Sequence, residues 1–259
     1  MISERQKNIL WSVIDEHVKA AEPVSSKSLA QKRGFEIGAP MIRKEMNQLE
    51  QEGYLAQPHT SAGRVPTDKA YRLYIQEQAH RTNTTNGTYK ANGQTGLTAK
   101  ETRKVKCSLG KKWSDEQTLL KEVSRLASDI SKELSIAGTV GEEGTYSCGF
   151  SNLFEEPEFR SFNSINQIMR FMDNVDMYFD ALWDKILYED MWVFIGSENP
   201  IKEINEFTLI TGKYHLPEWS STNPDRGRQG FVSIIGPKRM NYKRNMAVVE
   251  YISKIINNV

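Results

Sequence analysis

The sequence predicts a mainly α-helical N-terminal domain followed by an α+β domain. Apolar residues recur at helical spacing through most of the first 80 residues, and one short pair of strand-like runs interrupts them. Beyond residue 113, helical patterns are combined with several strand-like runs. A chain of 259 residues is long enough for two domains. We therefore expect domains at residues 1–80 and 113–259, joined by a linker at 81–112.

Four helices and a hairpin are predicted in the first domain. Ser3 suits the N-cap of the first helix, which ends before Pro23, and Gly53 is the expected C-terminal stop of the third. Residues 54–58 and 64–66 are typical of two short strands around a small polar turn. The other predicted helices span 25–32 and 40–52, and a fourth begins at Thr67 and Asp68. Three helices, a hairpin and a closing helix in this order are typical of a winged helix-turn-helix.

Residues 81–112 differ from both domains in composition. Residues 82–96 are nearly all small and polar, and such a stretch cannot bury enough apolar surface to fold by itself. The segment holds 8 Lys and Arg against 1 acidic residue, whereas residues 113–259 hold 15 against 22. We expect a flexible basic linker, and the asymmetry indicates a polyanion near the front and middle of the chain. The basic residues at its end are Arg103, Lys104, Lys106, Lys111 and Lys112.

The second domain is predicted to contain few strands. Residues 117–136 form an amphipathic pattern, and glycines at 138, 141 and 144 indicate a turn after it. Two further helices are expected at 155–174 and 175–190. The strand-like runs are 191–196, 207–211 and 231–235, and the chain ends in a predicted helix at 242–256.

The third helix carries the residues that we expect to read DNA. At 100° per residue Ile42, Met46 and Leu49 form a buried stripe, which leaves basic and amide side chains on the opposite face. Such side chains bond to base edges when a recognition helix enters the major groove. The predicted base-reading residues are Pro40, Met41, Arg43, Lys44, Asn47 and Gln48. An ordinary solvated helix face has the same composition, and only the helix-turn-helix context favours recognition.

The hairpin supplies further predicted contacts. His59, Thr60 and Ser61 lie on a small-residue turn that a DNA backbone or minor groove can approach closely, although His59 also fits a plain surface turn. Arg64 suits a narrow minor groove or a phosphate. Predicted phosphate contacts that set register without reading sequence are Lys27, Lys69 and Arg72.

The sequence contains no catalytic or cofactor motif that we recognise. Its four histidines have no metal-ligand spacing, and GxSxG, HExxH and phosphate-loop patterns are absent. The two cysteines, Cys107 and Cys148, form no CxxC pair. The polar N-terminus is not typical of a signal peptide, and no apolar run approaches the roughly 18 residues of a membrane span. We predict a cytoplasmic protein that is not an enzyme and holds no metal or cofactor.

Several motifs of the chain occur together in one known family. The most specific is Pro-His-Thr-Ser-Ala-Gly-Arg-Val-Pro-Thr at 58–67, preceded by Glu-Arg-Gln at 4–6 and Glu-Pro-Val at 22–24. In the second domain, Ile-Gly-Pro-Lys-Arg-Met-Asn-Tyr at 235–242 and Ile-Gly-Ser-Glu-Asn at 195–199 extend the match. Together these motifs resemble the heat-inducible transcription repressor family HrcA.

The resemblance implies a dimeric repressor of chaperone operons that binds an inverted-repeat operator called CIRCE. It also implies a GAF-like C-terminal domain and modulation by a GroEL-type chaperonin, which heat would divert to unfolded clients. Family members usually carry Ser and Thr at the front of the recognition helix, where this chain has Gly38 and Met41, and Lys44 stands where Asn is common. They also carry a longer middle segment with early GAF strands and an inserted dimerisation domain, so we expect a reduced GAF-like domain here.

A ligand-sensing regulator is the alternative function. The aromatic residues Trp183, Tyr188, Trp192 and Phe194 could line a small-molecule pocket in the second domain, whereas core packing is the expected role of such residues.

Overall fold

The chain divides into two units. Met1–Gln78 and Lys238–Asn241 form the first unit, and Ala79–Pro237 and Tyr242–Val259 form the second. The structure is a computed structural model that describes residues 2–32, 35, 37–80, 96–113, 115–140, 144–186, 189–216 and 229–258.

The N-terminal elements follow the predicted order. Leu55 pairs with Pro66 and Ala56 with Val65 in an antiparallel hairpin between the third and fourth helices. The elements are α1 (Glu4–Ala20), α2 (Ser26–Lys32), α3 (Ala39–Gln51), β1 (Leu55–Ala56), β2 (Val65–Pro66) and α4 (Asp68–His80).

The predicted helix ends are confirmed by their capping bonds. The Ser3 hydroxyl accepts from the Gln6 amide at 3.2 Å, while the Gln6 side chain accepts from the Ser3 amide at 2.9 Å, which is a capping box. Helix α3 ends at Gln51, and Gly53 just beyond it has a left-handed φ of +77°, while the Tyr54 amide donates to the Leu49 carbonyl at 2.8 Å. At its other end, Gly38 occupies the N-cap position of α3 without a side-chain bond.

The core of the first unit is built from one face of each helix. The predicted stripe of α3, namely Ile42, Met46 and Leu49, is fully buried, as is Leu29 of α2. Burial of each such side chain contributes about 1.5–3 kcal/mol relative to exposure. The α1 residues in the same core are Ile9, Leu10, Val13 and Ile14. This core fixes which face of α3 remains outside.

A five-stranded antiparallel sheet forms the centre of the second unit, with the strand order β4-β3-β7-β6-β5 among the described residues. Its strands are β3 (Leu134–Thr139), β4 (Tyr146–Cys148), β5 (Met191–Ile195), β6 (Phe207–His215) and β7 (Gln229–Pro237). The helices of this unit are α5 (Ala99–Leu109), α6 (Glu116–Ser131), α7 (Phe150–Glu155), α8 (Phe162–Met172), α9 (Val175–Ile186) and α10 (Tyr242–Ile256). The prediction of few strands is therefore wrong, although the three predicted strands and the C-terminal helix are present.

The prediction of a linker through residue 112 is wrong for its second half, because α5 occupies Ala99–Leu109. Thr98 and Glu101 form a capping box at the start of this helix, and Val105 and Leu109 are buried. Basic composition hid this pattern, since the cations lie on the exposed side and only two apolar residues of the helix are buried. Residues 81–95 lie outside the described part of the chain.

The predicted helix at 117–136 ends too late. Helix α6 stops at Ser131, where Lys132 adopts a left-handed φ of +64°, and Leu134 begins β3. Gly138 lies inside this strand rather than in a turn, and a Cβ there would stand 2.8 Å from the Phe231 ring. Leu134 continues the helical spacing from Ile130, whereas the alternation of Leu134 and Ile136 is typical of a strand, so the end of the helix was placed too late.

The predicted helix at 155–174 is interrupted. Residues Pro157–Phe159 form a short 3-10 turn between α7 and α8, and Ser161 caps α8 by accepting from the Ser164 amide at 3.0 Å. Proline supplies no amide donor, which explains why the α-helical bonding pattern stops here.

The described aromatic residues of the alternative function pack within or against the core. Trp183 is buried in the same apolar cluster as Phe231, while Trp192 and Phe194 stack on each other at 5.8 Å and pack against it. Tyr188 lies outside the described residues. None of the described helices combines the length and the hydropathy that a membrane span requires.

Candidate nucleic-acid interface

Helix α3 presents the predicted base-reading residues on its outer side. Because Ile42, Met46 and Leu49 face the core, the remaining positions face outward. The exposed residues of the predicted set are Pro40, Met41, Arg43, Lys44, Asn47 and Gln48. The structure therefore brings this set together on one surface, with two cations and two amides available for polar contacts.

Two contacts hold α3 against α1. Gln6, which is nearly buried, donates from Nε2 to Oε1 of Gln48 at 3.1 Å. Arg5 pairs with Glu45 at 3.6 Å across the same helices. The side-chain oxygen of Gln48 is therefore bonded within the first unit. The side chains of Arg43 and Lys44 are exposed.

The turn between β1 and β2 is held by hydrogen bonds to its own backbone carbonyls. Gln57 donates from Nε2 to the carbonyl oxygens of Thr60 and Ala62, both at 3.0 Å, and the Ala62 amide donates to the His59 carbonyl at 2.9 Å. His59, Thr60 and Ser61 are exposed at the tip. An ordered turn of small residues loses little conformational entropy when another backbone approaches it.

Gly63 lies where two backbones meet. Val24 and Arg64 exchange two backbone hydrogen bonds, each 2.9 Å long. A Cβ on Gly63 would stand 2.5 Å from the carbonyl carbon and oxygen of Val24, which no side chain tolerates without a shift. The glycine of the Pro-His-Thr-Ser-Ala-Gly-Arg motif is therefore required by this approach.

Arg64 contacts α3 instead of projecting outward. Its Nε and Nη2 atoms lie 3.0 Å and 2.9 Å from Oε2 of Glu50, and Nη2 also donates to Oδ1 of Asn47. The Arg64 side chain is 13% exposed. The structure thus brings Arg64 and Asn47 together, and the Arg64 guanidinium bonds to acceptors of the first unit itself.

The predicted phosphate contacts differ from one another in placement. Lys27 is exposed on α2, whereas Arg72 is half-buried on α4. Lys69 donates from Nζ to the Glu52 carbonyl at 2.8 Å and lies 4.3 Å from the centre of the Tyr54 ring. It therefore satisfies a carbonyl at the C-terminal end of α3, where a cation is favourable.

Sequence reasoning missed Glu50 and Val24 as parts of this surface. Glu50 follows Asn47 by about one helical turn, and a carboxylate so close to a predicted DNA-contacting position would repel phosphate unless a cation neutralised it. Glu50 was therefore a sequence feature from which a nearby basic partner could have been predicted. The contact between Val24 and the hairpin had no signal in the local pattern, because it joins residues 40 positions apart in the chain.

Comparison with known proteins identifies one family. The model of the HrcA protein C-terminal domain matches residues 94–246. The heat-inducible transcription repressor HrcA of Acetivibrio thermocellus is 26% identical, with 97% of this chain and 94% of that protein covered. The repressor of the same name from Clostridioides difficile is 25% identical, with 99% of each covered.

A solved structure has the same fold over the full chain. It is described as the crystal structure of a hypothetical protein, and it matches with a TM-score of 0.72 at 18% identity, covering 100% of this chain and 98% of the other. The Acetivibrio alignment runs over 351 positions, although the chain has 259 residues. A segment of that relative therefore has no counterpart here.

Proposed function

The chain belongs to the HrcA family of heat-inducible transcription repressors, and from this premise we propose that it represses heat-shock operons by binding their operator DNA. We infer that the first unit is a winged helix-turn-helix with α3 as the recognition helix and the β1–β2 turn as the wing. The second unit is then a reduced GAF-like domain.

One observation carries the proposed DNA contact. The buried stripe of α3 anchors the helix, while its N-terminal half exposes Pro40, Met41, Arg43 and Lys44 together on the opposite face. The N-terminal residues of a recognition helix are those that contact base edges in the major groove. Lysine and arginine donate to the two acceptors of guanine, and amides pair with adenine. We therefore assign base reading to Lys44 in this half, and also to Asn47, which is exposed about one turn further along the helix.

The remaining predicted residues have supporting roles in this proposal. The exposed wing tip at His59–Ser61 contacts the neighbouring backbone or minor groove, and Lys27 and Arg72 contact phosphates and set the register. Lys69 acts through the end of α3 that it caps.

The operator and the oligomer follow from the family. We propose that a dimer binds an inverted repeat of the CIRCE type, since a two-fold operator matches two recognition helices held about one DNA turn apart. We further propose that the repressor acts in the cytoplasm and that a GroEL-type chaperonin maintains its active form until heat occupies the chaperonin.

Fluorescence anisotropy with two labelled duplexes tests this function. The purified chain, alone and with GroEL, is titrated into an inverted-repeat duplex of the CIRCE type and into a scrambled duplex at the same salt concentration. We expect a preference of about 10³-fold or more for the inverted repeat, with two chains bound per duplex. Equal affinity for both duplexes in the presence of GroEL would overturn the proposal.

A further inference from the structure

Arg64 joins the wing to the proposed recognition helix through a single side chain. Its guanidinium bonds to two acceptors on α3 that are three residues apart, the Glu50 carboxylate and the Asn47 amide oxygen. The planar fork of arginine suits two such acceptors at once, whereas a lysine ammonium offers no fixed fork. The backbone of Arg64 is itself held by the two bonds to Val24, so the side chain starts from a fixed point.

The bond to Asn47 fixes the orientation of its amide. With Oδ1 turned toward Arg64, the amide nitrogen lies on the other side of the carbonyl carbon, and the Asn47 side chain is exposed. An asparagine held in this way loses less side-chain freedom when it binds a base than an unrestrained one does. It presents two N–H donors, which match the acceptors on purine and thymine edges in the major groove.

The bond to Glu50 removes a charge that opposes DNA binding. Glu50 is 33% exposed beside the proposed reading face, and its carboxylate is paired with the Arg64 guanidinium at 2.9 Å. Without that partner, the carboxylate would repel the approaching phosphates.

We propose that Arg64 is a positioning residue that orients the Asn47 amide for base reading and neutralises Glu50, and that it is not itself a contact to phosphate or to the minor groove. This inference rests on the proposed function, because it assumes that α3 reads operator DNA.

Substitution of Arg64 by lysine distinguishes a positioning role from a direct contact to phosphate. Lysine keeps the charge that a phosphate contact needs but cannot form the fork to Glu50 and Asn47. We expect Arg64→Lys to bind the inverted-repeat duplex about tenfold more weakly while its affinity for scrambled duplex and its salt slope stay unchanged. Near-native operator binding by Arg64→Lys, or equal losses of Arg64→Lys on the operator and scrambled duplexes, would overturn the proposal.

Arg125→Lys is the matched control. Arg125, like Arg64, bonds to two side-chain acceptors on one helix, but these are the Glu122 and Asp129 carboxylates on α6 of the second unit. We expect no change in binding to either duplex. Thermal unfolding of all variants checks that the fold is retained, since the backbone bonds of Arg64 do not involve its side chain.

Glu50→Ala gives a second readout, for which a positioning role of Arg64 and a direct DNA contact of Arg64 predict different results. If Arg64 only positions Asn47, loss of its main anchor lowers the ratio of operator to scrambled affinity. If Arg64 contacts DNA directly, its release leaves that ratio unchanged or raises it, which would overturn the proposal.

A double-mutant cycle with Asn47→Ala completes the test. We expect Arg64→Lys to cost less than about threefold in the Asn47→Ala background, because the residue on which it acts is absent. Full multiplication of the two losses would contradict the positioning role. Failure of the proposed function is distinct from both results, because the native chain would then show no operator preference before any substitution.

Discussion

The backbone approach at Gly63 gives the sharpest prediction for the stability of the first unit. In Gly63→Ala the new methyl group would stand 2.5 Å from the Val24 carbonyl and 2.8 Å from the Pro23 carbonyl carbon, so the hairpin must move away. Movement breaks the two 2.9 Å bonds between Val24 and Arg64. Each backbone bond contributes about 0.5–1.5 kcal/mol net, and the forced displacement costs a further 1–3 kcal/mol.

We therefore expect Gly63→Ala to lower the unfolding free energy of the first unit by about 2–6 kcal/mol, which is a fall of roughly 10 °C or more in its melting temperature. Calorimetry measures the fall, and hydrogen exchange of the Val24 and Arg64 amides reports the broken bridge. Gly38→Ala is the control, because its Cβ would meet only Pro40 Cδ at an ordinary 3.6 Å. It should lose no more than about 1 kcal/mol from the poorer N-cap. A melting temperature of Gly63→Ala equal to that of the control would refute the reasoning.

Three further predictions concern side chains. Lys44→Ala should weaken operator binding by about 1–3 kcal/mol in anisotropy titrations, and equal losses on scrambled duplex would count against base reading. Lys69→Ala should lower the unfolding free energy of the first unit by about 1 kcal/mol, because it loses the bond to the Glu52 carbonyl and the Tyr54 ring contact; an unchanged melting temperature would contradict this. The Thr98 amide, followed by the Thr98 hydroxyl and Arg244, holds the pKa of Glu101 below its usual value. Its stabilisation is thus present above the ordinary carboxyl pKa and is lost as the pH falls through the lowered one, so the stability difference between the native chain and Glu101→Gln should vanish across that window in urea titrations at stepped pH.

The face of α3 could be predicted from sequence because it depends only on helical geometry. The 100° rotation per residue placed Ile42, Met46 and Leu49 on one side, and the structure buries all three. The helix ends were equally local, since Ser3 and Gly53 act on bonds within a few residues. Local rules therefore identified the candidate reading face.

The partners of Arg64 could not be predicted in the same way. Its contacts to Glu50, Asn47 and Val24 depend on how the hairpin returns against two helices, which no local pattern records. The sequence predicted a phosphate or minor-groove contact for the Arg64 guanidinium, and the structure pairs it with Glu50 and Asn47. Tertiary packing gave that group acceptors within the protein.

The errors in the second unit arose from competing local signals. Thr98 and Glu101 match the capping-box pattern that indicates a helix start, but the basic composition around them favoured a linker. Leu134 continued the helical spacing from Ile130, although β3 pairs with β7 from Leu134 to Thr139. Pairing with a distant strand determines the secondary structure of these residues, and no local sequence pattern records that pairing.

Dimethyl sulfate protection of an inverted-repeat duplex tests the central claim most directly, because this reagent methylates guanine N7 in the major groove. If α3 lies in that groove, the native chain should protect guanines in both half-sites, with centres separated by about one helical turn or a multiple of it, and Lys44→Ala should weaken the protection. Protection of one half-site only, or none while the duplex is saturated, would contradict the placement of α3 in the major groove.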